Sequence, residues 1–222
     1  MSRHVDRIVS GIGLAASSPL LLLAVLGIRK ASPGPVFYRA ERAGQGGVPF
    51  TMYKLRTMHV DAASSGRITG RADLRVFRWG SILRRLKLDE LPQLINVFRG
   101  EMAMVGPRPE DMSIVREHYD PLMWESLTIP PGITSPGSLH YFADEDGLPS
   151  DPEAAEAVYI ERLLPLKIAL DLVYVRNRSL RYDVEVLART LLAILGLDRI
   201  FGARLVWEHE EARKILERGK VP

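Results

Sequence analysis

Two adjacent carboxylates, Asp89 and Glu90, are the residues of this sequence best suited to chemistry. A basic cluster of Arg84, Arg85 and Lys87 comes directly before them, and an apolar run follows. Positive charge at this distance favours the ionised carboxylate at neutral pH. An adjacent acidic pair is also common on an ordinary solvated surface, so the pair alone leaves a catalytic and a structural interpretation open.

Pro92 indicates that a helix begins near this pair, because proline is tolerated in a first turn and is costly further in. A helix start would place the positive end of the helix dipole beside Asp89. Neighbouring helical residues point about 100° apart, so Asp89 and Glu90 would have different roles. One is suited to nucleophilic attack, and the other to holding a metal ion or moving a proton.

Three further basic residues are candidates for binding phosphate. Lys54 and Arg56 alternate near the end of a predicted strand and would share one face if the strand continued. Arg108 lies between two prolines, which restrict the backbone on both sides, and a rigidly held guanidinium suits two-bond binding of phosphate or carboxylate. A solvated strand face and a structural turn explain the same residues equally well.

The composition excludes several classes of site. The 222 residues include no cysteine, which excludes disulfides, thiolate nucleophiles and thiolate metal sites. The five histidines show no metal-ligand spacing. The net charge of +3 and the isoelectric point near 9.3 mildly favour anionic partners such as phosphates or anionic lipid. No nucleic-acid partner is expected, because a basic stripe with stacking aromatics is missing from the sequence.

The N-terminal apolar run predicts a membrane element. Residues 8–28 carry no charge, and as a straight helix they would be about 31 Å long, enough to span a bilayer core. Pro19 would kink such a helix, and neighbouring serine hydroxyls could satisfy the carbonyls it leaves without a donor. A re-entrant helix and a kinked span fit about equally well, whereas a signal peptide fits poorly. The basic flanks, which prefer the cytoplasmic side, are Arg3, Arg7, Arg29 and Lys30.

The remaining patterns predict an α+β fold that is mostly helical. Residues 36–39 and 48–53 predict a small β-hairpin, and residues 61–72 a polar, mobile loop. Helical spacing predicts a helix over residues 76–86 and a second one that ends at Arg99 and Gly100. The expected buried face of this second helix consists of Leu91, Leu94, Ile95 and Phe98.

The C-terminal third predicts further helices after an acidic loop at residues 144–150. A helix over residues 154–164 is expected to end near Pro165, and apolar helices follow at 168–175 and 184–197. The last of these is expected in the core, with a helix lying on the membrane surface as the alternative. Residues 208–220 alternate acid and base and predict a solvated helix.

Taken in order, these motifs resemble the bacterial sugar transferases, the monotopic phosphoglycosyl transferases that act on polyprenyl phosphate. The similarity covers residues 3–190, and its motifs are weak singly but specific together. The motifs are Ser18-Pro19, Ser32-Pro33-Gly34-Pro35-Val36-Phe37-Tyr38, Tyr53-Lys54-Leu55-Arg56-Thr57-Met58, Asp89-Glu90-Leu91-Pro92-Gln93-Leu94 with Asn96-Val97, Val105-Gly106-Pro107-Arg108-Pro109 and Pro131-Gly132-Ile133-Thr134.

The resemblance implies a reaction and a set of site residues. The reaction is transfer of a sugar-1-phosphate from a UDP-sugar to undecaprenyl phosphate with release of UMP, and it requires Mg²⁺. Asp89 would form a phosphosugar–aspartyl intermediate, Glu90 would assist the metal or the second half-reaction, and both would serve as metal ligands. Arg84 would hold the polyprenyl phosphate. The basic residues implied to bind substrate are Lys54, Arg56, Arg84 and Arg108.

The resemblance also implies an organisation and a location. Residues 1–30 would form a re-entrant membrane helix broken at Ser18 and Pro19, and residues 31–222 a compact, cytoplasmic, membrane-associated catalytic domain with amphipathic interfacial helices. The site would face the cytoplasmic leaflet of the bacterial inner membrane, where it meets the UDP-sugar and the lipid acceptor. Such an enzyme begins the assembly of an exopolysaccharide, capsule, O-antigen or glycoprotein glycan. A homodimer is left open.

Two positions depart from the family pattern. Many members continue Pro-Gly-Ile-Thr into a glycine-containing motif with a Gln-Val pair, whereas residues 134–142 differ here, which leaves the sugar open. Lys87 stands two residues before Asp89, where serine or threonine is frequent. Two other functions remain alternatives: a non-catalytic membrane-anchored scaffold, and a metal-dependent hydrolase of nucleoside diphosphate sugars.

Overall fold

The computed structural model describes residues 2–60, 75–144, 149, 151–195 and 202–219. The predicted loop at 61–72 and most of the acidic loop at 144–150 lie outside these ranges. The described chain is mostly helical with small two-stranded sheets, as predicted. The helices are α1 (Arg3–Ala31), α2 (Arg78–Arg85), α3 (Gln93–Arg99), α4 (Met112–His118), α5 (Pro121–Trp124), α6 (Pro136–Asp144), α7 (Pro152–Val158), α8 (Leu164–Arg176), α9 (Leu180–Ile194) and α10 (Gly202–Gly219).

Helix α1 contains the apolar N-terminal run. Among the described residues, it is the one helix that is long and apolar enough to cross a membrane. Only 11% of its apolar stretch is buried inside the structure. The helix continues through Pro19, which has no N–H to donate to the carbonyl of Ala15. The Ser18 hydroxyl donates to that carbonyl at 2.8 Å, as the sequence predicted for a serine beside the proline. The re-entrant break itself stays a prediction.

The predicted hairpin is present and longer than expected. Strands β1 (Phe37–Ala43) and β2 (Pro49–Leu55) pair antiparallel, with Phe37 opposite Leu55. A second, parallel pair joins β3 (Ala103–Val105) to β4 (Gly132–Thr134). This second pair brings two of the sequence motifs together, because the loop that carries Arg108 follows β3 directly.

Helix α2 is fixed against the C-terminal half of α1. The indole Nε1 of Trp79 donates to the main-chain carbonyl of Ala24 at 3.3 Å. A β-carbon added to Gly27 would lie 2.2 Å from that nitrogen, so the close approach of the two helices requires glycine there. Ile28 and Leu83 are fully buried at this contact. Helix α2, which precedes the Asp-Glu pair, is thereby tied to α1.

Helix α3 differs from its prediction in the face that it buries. Leu94 is buried as expected, but the prediction that Phe98 is buried was wrong, because this side chain is 55% exposed. The helix packs against both α1 and β2, so the fully buried Val97 faces the core, and the Phe98 ring lies beside Gly11 of α1. The predicted end is confirmed, because Gly100 adopts a left-handed φ of 83° after the last turn.

Pro165 does not end a helix, contrary to the sequence prediction. A π-helical turn over Tyr159–Leu163 follows α7, and α8 begins at once with the proline in its first turn. A first-turn proline needs no donor hydrogen, and the wider π turn supplies the change in hydrogen bonding before it. Helix α8 forms the centre of the largest described core cluster, together with Ile114, Tyr159 and residues of α10.

Helix α9 was expected in the core, and this prediction was only partly right. Tyr182 and Val186 are buried, but one side of the helix is solvent-exposed and apolar. The exposed residues are Leu180, Val184, Leu191 and Leu195, between 57% and 65% exposed. The predicted helix near the C-terminus is present as α10, but it is not solvated throughout, because it packs against α8 and buries Ala212 and Ile215. It is joined to α9 by a buried pair in which Arg189 donates to Glu208 at 2.6 Å and 2.8 Å.

Candidate active site

The Asp-Glu pair lies on a tight turn between α2 and α3. Leu88–Glu90 forms one 3₁₀ turn, and α3 begins at Gln93 after Pro92, so the expected helix start lies just beyond the pair. Lys87, which precedes the turn, has a φ of 54°. Among the described residues no other side chain larger than hydrogen adopts a positive φ. This backbone geometry reverses the chain after α2 and presents both carboxylates from one short segment.

Glu90 is an anchored anion. The guanidinium of Arg108 donates to its two carboxylate oxygens at 2.6 Å and 3.3 Å, and Lys54 Nζ donates to Oε1 at 3.3 Å. Burial opposes ionisation, but the charges of Arg108 and Lys54 outweigh it and hold the pKa of Glu90 well below its usual range. Burial lowers the pKa of Lys54, and the Glu90 charge opposes that effect.

Asp89 is buried without such an anchor. It is 7% exposed, and its Oδ1 accepts no hydrogen bond from any described residue. Burial and the neighbouring Glu90 charge raise the pKa of Asp89, against the opposing charges of Lys54, Lys87 and Arg84. The basic cluster therefore acts in the direction that the sequence predicted, but burial outweighs it.

Arg84 lies close enough to Asp89 for its charge to act on the carboxyl group. Its Nε donates to the Thr57 hydroxyl at 2.9 Å, which fixes the guanidinium plane. The terminal nitrogens of that guanidinium donate to no protein acceptor within the described ranges. They are therefore positioned to bind an anion that approaches the pair.

The structure does not bring Arg56 to this cluster. Strand β2 ends at Leu55, so the alternation that would place Lys54 and Arg56 on one face stops one residue too early. The Arg56 guanidinium is buried and donates to the Ser32 hydroxyl and carbonyl at 2.7 Å and to the Pro35 carbonyl at 2.5 Å. These bonds secure the turn that follows α1, which is a structural role.

Sequence reasoning missed a buried polar group behind the Arg108 loop. Lys167 Nζ donates to Glu110 Oε2 at 2.7 Å and to the Tyr159 hydroxyl at 2.6 Å, and that hydroxyl also donates to Glu110. One turn later on α8, the buried Asp171 accepts a hydrogen bond from the main-chain nitrogen of Arg108 at 3.4 Å. The sequence signal for this group is a pair of charged residues four positions apart. Lys167 lies at the edge of an apolar helical run, and Asp171 lies within it.

The carboxylate pair suits a magnesium ion shared with substrate. Among the described residues no three potential ligands of the His, Cys, Asp and Glu types are grouped as a complete metal site. Mg²⁺ is commonly held by one or two carboxylates together with substrate phosphates. Asp89, with a buried oxygen that has no hydrogen-bond partner, and the ionised Glu90 fit that requirement.

Comparison with known proteins gives relatives along most of the chain. It is 38% identical to a UDP-glucose:undecaprenyl-phosphate glucose-1-phosphate transferase of Caulobacter vibrioides over 213 residues, 90% of this chain and 71% of that protein. It is 37% identical to a protein of the same name from Xanthomonas campestris pv. campestris, over 86% of this chain and 38% of the relative. A UDP-N-acetylgalactosamine-undecaprenyl-phosphate N-acetylgalactosaminephosphotransferase of Aeromonas hydrophila is 33% identical, over 92% of this chain and 45% of the relative.

The chain thus spans less than half the length of two of these three relatives and about seven tenths of the third. The family model described as bacterial sugar transferase matches residues 1–196, which include the Asp-Glu turn, the Arg108 loop and the residues of α8 that lie behind it. The chain belongs to the bacterial sugar transferase family.

Proposed function

We propose that this chain transfers a sugar-1-phosphate from a UDP-sugar to undecaprenyl phosphate through a covalent intermediate on Asp89. The observation that carries the proposal is the unequal environment of the two carboxylates. Glu90 is held by Arg108 and Lys54, whereas Asp89 has a buried oxygen without a hydrogen-bond partner among the described residues. The names of the relatives support the donor and acceptor classes, and they differ in the sugar, which stays open.

In the first half-reaction the Asp89 carboxylate attacks the phosphorus that carries the sugar. A new bond forms between the carboxylate oxygen and phosphorus, and the bond from phosphorus to the UMP oxygen breaks. UMP leaves with the bonding electron pair, and the sugar-phosphate remains on Asp89 as an acyl phosphate. When bound, Mg²⁺ on Asp89 and Glu90 would neutralise charge on the phosphate oxygens.

In the second half-reaction an oxygen of undecaprenyl phosphate attacks the same phosphorus. The bond to Asp89 breaks, the carboxylate is regenerated, and the product is a lipid diphosphate that carries the sugar. One site can thus serve a soluble donor and a lipid acceptor in turn. The product is a membrane-held first sugar, which suits the start of assembly of an exopolysaccharide, a capsule, an O-antigen or a glycoprotein glycan.

The basic residues around the pair supply charge and position. Arg84 is assigned to the lipid phosphate, because its terminal nitrogens are left available after Nε binds Thr57. Lys54 and Arg108 hold Glu90 and bring positive charge to the same place, where phosphoryl transfer needs it most. Arg56 has no substrate role in this proposal, because its donors are used by the turn after α1.

The membrane position is part of the same proposal. Helix α1 would enter the cytoplasmic leaflet, bend at Ser18 and Pro19 and return, with its basic flanks on the cytoplasmic side. Support comes from contacts at both ends of the helix. Arg3 Nη2 donates to Gln45 of the hairpin turn at 2.7 Å, and Ser32, which ends the helix, accepts from Arg56 at 2.7 Å. A helix that left the domain to cross a bilayer would place only one end there.

UMP release from a panel of UDP-sugars with Mg²⁺, measured with and without undecaprenyl phosphate, tests the reaction. We expect lipid-dependent release with at least one donor, and a loss of about 1,000-fold or more in Asp89→Asn, because an amide cannot form the acyl phosphate. Asp151→Asn, an exposed aspartate that caps α7, is the matched control and should retain activity. A radiolabelled sugar-phosphate should become attached to the wild-type chain and not to Asp89→Asn.

Three outcomes would contradict the proposal in different ways. Release that ignores the lipid would indicate a hydrolase with water as the acceptor. Lipid-dependent release that survives in Asp89→Asn would remove the covalent step. No release from any donor, together with no label on the chain, would favour a non-catalytic scaffold that retains the fold.

A further inference from the structure

Asp171 is a buried carboxylate in the middle of α8. It is 2% exposed, and its hydrogen-bond partners are main-chain amides and a hydroxyl. Lys167, one turn earlier, directs its ammonium to Glu110 and Tyr159. Burying a carboxylate costs free energy that main-chain donors only partly return, so an apolar residue would serve packing better. The position therefore calls for an explanation other than stability.

One carboxylate oxygen contacts the loop that binds Glu90. Asp171 Oδ2 accepts from the main-chain nitrogen of Arg108 at 3.4 Å. The side chain of the same Arg108 donates to Glu90 at 2.6 Å and 3.3 Å. Asp171 is thus connected to the Asp89-Glu90 dyad through one intermediate residue, Arg108. The prolines on either side of Arg108 restrict its backbone, so the position of its nitrogen sets the point from which the side chain reaches Glu90. The two bonds to Glu90 then hold the guanidinium itself.

The other oxygen contacts α6, in the segment where this chain departs from the family pattern. Asp171 Oδ1 accepts from the main-chain nitrogen of Gly137 at 2.9 Å, and the Ser135 hydroxyl also bonds to the carboxylate. A β-carbon added to Gly137 would lie 2.6 Å from Oδ1 and 2.3 Å from the carbonyl oxygen of Lys167. The start of α6 is therefore held tightly against α8.

We infer that Asp171 is a positioning residue that joins the start of α6 to the Arg108 loop, so that these two segments keep one fixed relation to the dyad. The inference rests on the proposed function of the dyad. It explains why a carboxylate, which can accept two hydrogen bonds on different sides, stands where the packing alone would favour an apolar side chain. It also connects residues 134–142, where the sequence departs from the family pattern, to the dyad through Asp171 and Arg108.

Ionisation of Asp171 gives this role a measurable signature. Burial raises the pKa of Asp171 to about 6, although Ser135, Lys167 and the two main-chain amides oppose it. Protonation would convert one acceptor oxygen into a donor, which cannot bind an N–H group. Charged or titratable groups near it from the elements packed around α8 are Lys167, Arg108 and Tyr119. Helices α6 and α10 also bring together the rings of His140 and His209, with centroids 4.8 Å apart, while Glu208 of α10 is engaged by Arg189 and Tyr182.

The direction in which pH changes folding stability distinguishes a loss of positioning from unfolding. Because the pKa of Asp171 is higher in the folded chain than in the unfolded chain, folding takes up a proton as the pH falls through 6. Protonation of this group therefore increases folding stability over the same interval in which positioning would be lost. A fall in turnover there cannot come from unfolding that Asp171 causes.

The test compares Asp171→Asn with wild type and with Asp183→Asn in lipid-dependent UMP release. Asp183 is a matched control, because it is also buried in a helix and accepts from Tyr174 at 2.5 Å rather than from the Arg108 loop. We expect kcat to fall about 10- to 100-fold in Asp171→Asn at pH 7.5, with a smaller change in KM. Protonation of Asp171 should also cause a part of the loss of wild-type kcat between pH 7.5 and pH 5.5. That part should be absent in Asp171→Asn and retained in Asp183→Asn.

Amide hydrogen exchange gives a readout that does not require activity. In Asp171→Asn at pH 7.5, exchange should be faster at Gly106–Glu110 and at Thr134–Leu139 together, and in Asp183→Asn it should be unchanged there. Unchanged exchange in both segments, or wild-type kcat and pH profile in Asp171→Asn, would overturn the inference. If wild type itself released no UMP, the proposed function would fail, and the exchange result would still decide whether Asp171 joins the two segments.

Discussion

At the scale of single residues, the two dyad carboxylates differ in how their charge is balanced. Glu90 accepts from Arg108 and Lys54, and these charges hold its pKa well below the usual range in spite of burial. Burial and the Glu90 charge raise the pKa of Asp89. Environments that separate the pKa values of two neighbouring acids are typical of sites that give them different roles. In the proposed function, Glu90 is the fixed anion and Asp89 is the group that reacts.

Lys87 offers a test of this assignment. Its charge lowers the pKa of Asp89, so removing the charge in Lys87→Gln should raise that pKa further. In the proposed mechanism Asp89 attacks as a carboxylate, so activity should be lost as the pH falls through its pKa. The acid limb of kcat/KM, measured from about pH 5 to 9, should therefore move to higher pH in Lys87→Gln.

Lys87→Arg is the matched control for that measurement, because it keeps the charge and accepts the same left-handed backbone at similar cost. Its acid limb should coincide with that of wild type. An unchanged acid limb in Lys87→Gln would mean that Asp89 does not titrate in the rate-limiting step.

The sequence singled out Asp89, Glu90 and the two basic residues that contact Glu90. It did not show how all of these residues are arranged. Alternation placed Arg56 beside Lys54, whereas the strand ends between them and sends Arg56 to the turn after α1. The burial that raises the pKa of Asp89 depends on elements distant in sequence, which charge patterning cannot show. Asp171 was missed for the same reason, since its partners lie on two other segments.

At the scale of elements, local rules predicted where helices and strands form better than which faces they bury. The hairpin, α2 and the end of α3 at Gly100 follow from turn residues and apolar spacing. Pro165 misled the prediction, because a proline that ends one helix and a proline in the first turn of the next look alike in sequence. Phe98 was placed in the core, although α3 lies between two neighbours and Val97 takes that position.

Helix α1 gives the prediction that belongs to this scale. The chain has no cysteine, so His4→Cys and Ala31→Cys each introduce a single label site at an exposed position near one end of α1. A re-entrant helix places both sites on the cytoplasmic side. A membrane-impermeant maleimide should therefore label neither site in intact spheroplasts and both sites after the membrane is opened.

Pro19→Ala in the His4→Cys chain tests whether Pro19 causes the re-entrant bend. Alanine restores the missing backbone hydrogen bond, and a straight α1 of about 43 Å is long enough to cross the bilayer. We expect a fraction of His4→Cys to become labelled from outside only when Pro19 is replaced. Labelling of His4→Cys in intact spheroplasts with Pro19 present would show a spanning helix instead.

At the scale of the whole molecule, apolar side chains remain on the surface of several elements. They include Ile12 and Leu23 of α1, Ile82 of α2, Phe98 of α3 and the apolar side of α9. Where such side chains form a contiguous patch, the patch usually marks a surface that contacts membrane or another protein. A domain that takes its acceptor from a bilayer would need such a surface beside its site.

Helix α9 provides the last prediction. Its exposed apolar residues Val184 and Leu191 would lie at the depth of the lipid headgroups if α9 rests on the membrane, whereas Arg213 on the exposed side of α10 would face water. An environment-sensitive fluorophore on Leu191→Cys should be quenched by brominated lipids in anionic liposomes, and the same fluorophore on Arg213→Cys should not. Equal quenching at both sites would contradict an interfacial α9. A signal at Leu191→Cys that depends on protein concentration and ignores the brominated lipid would instead assign this apolar side to contact between two copies of the chain.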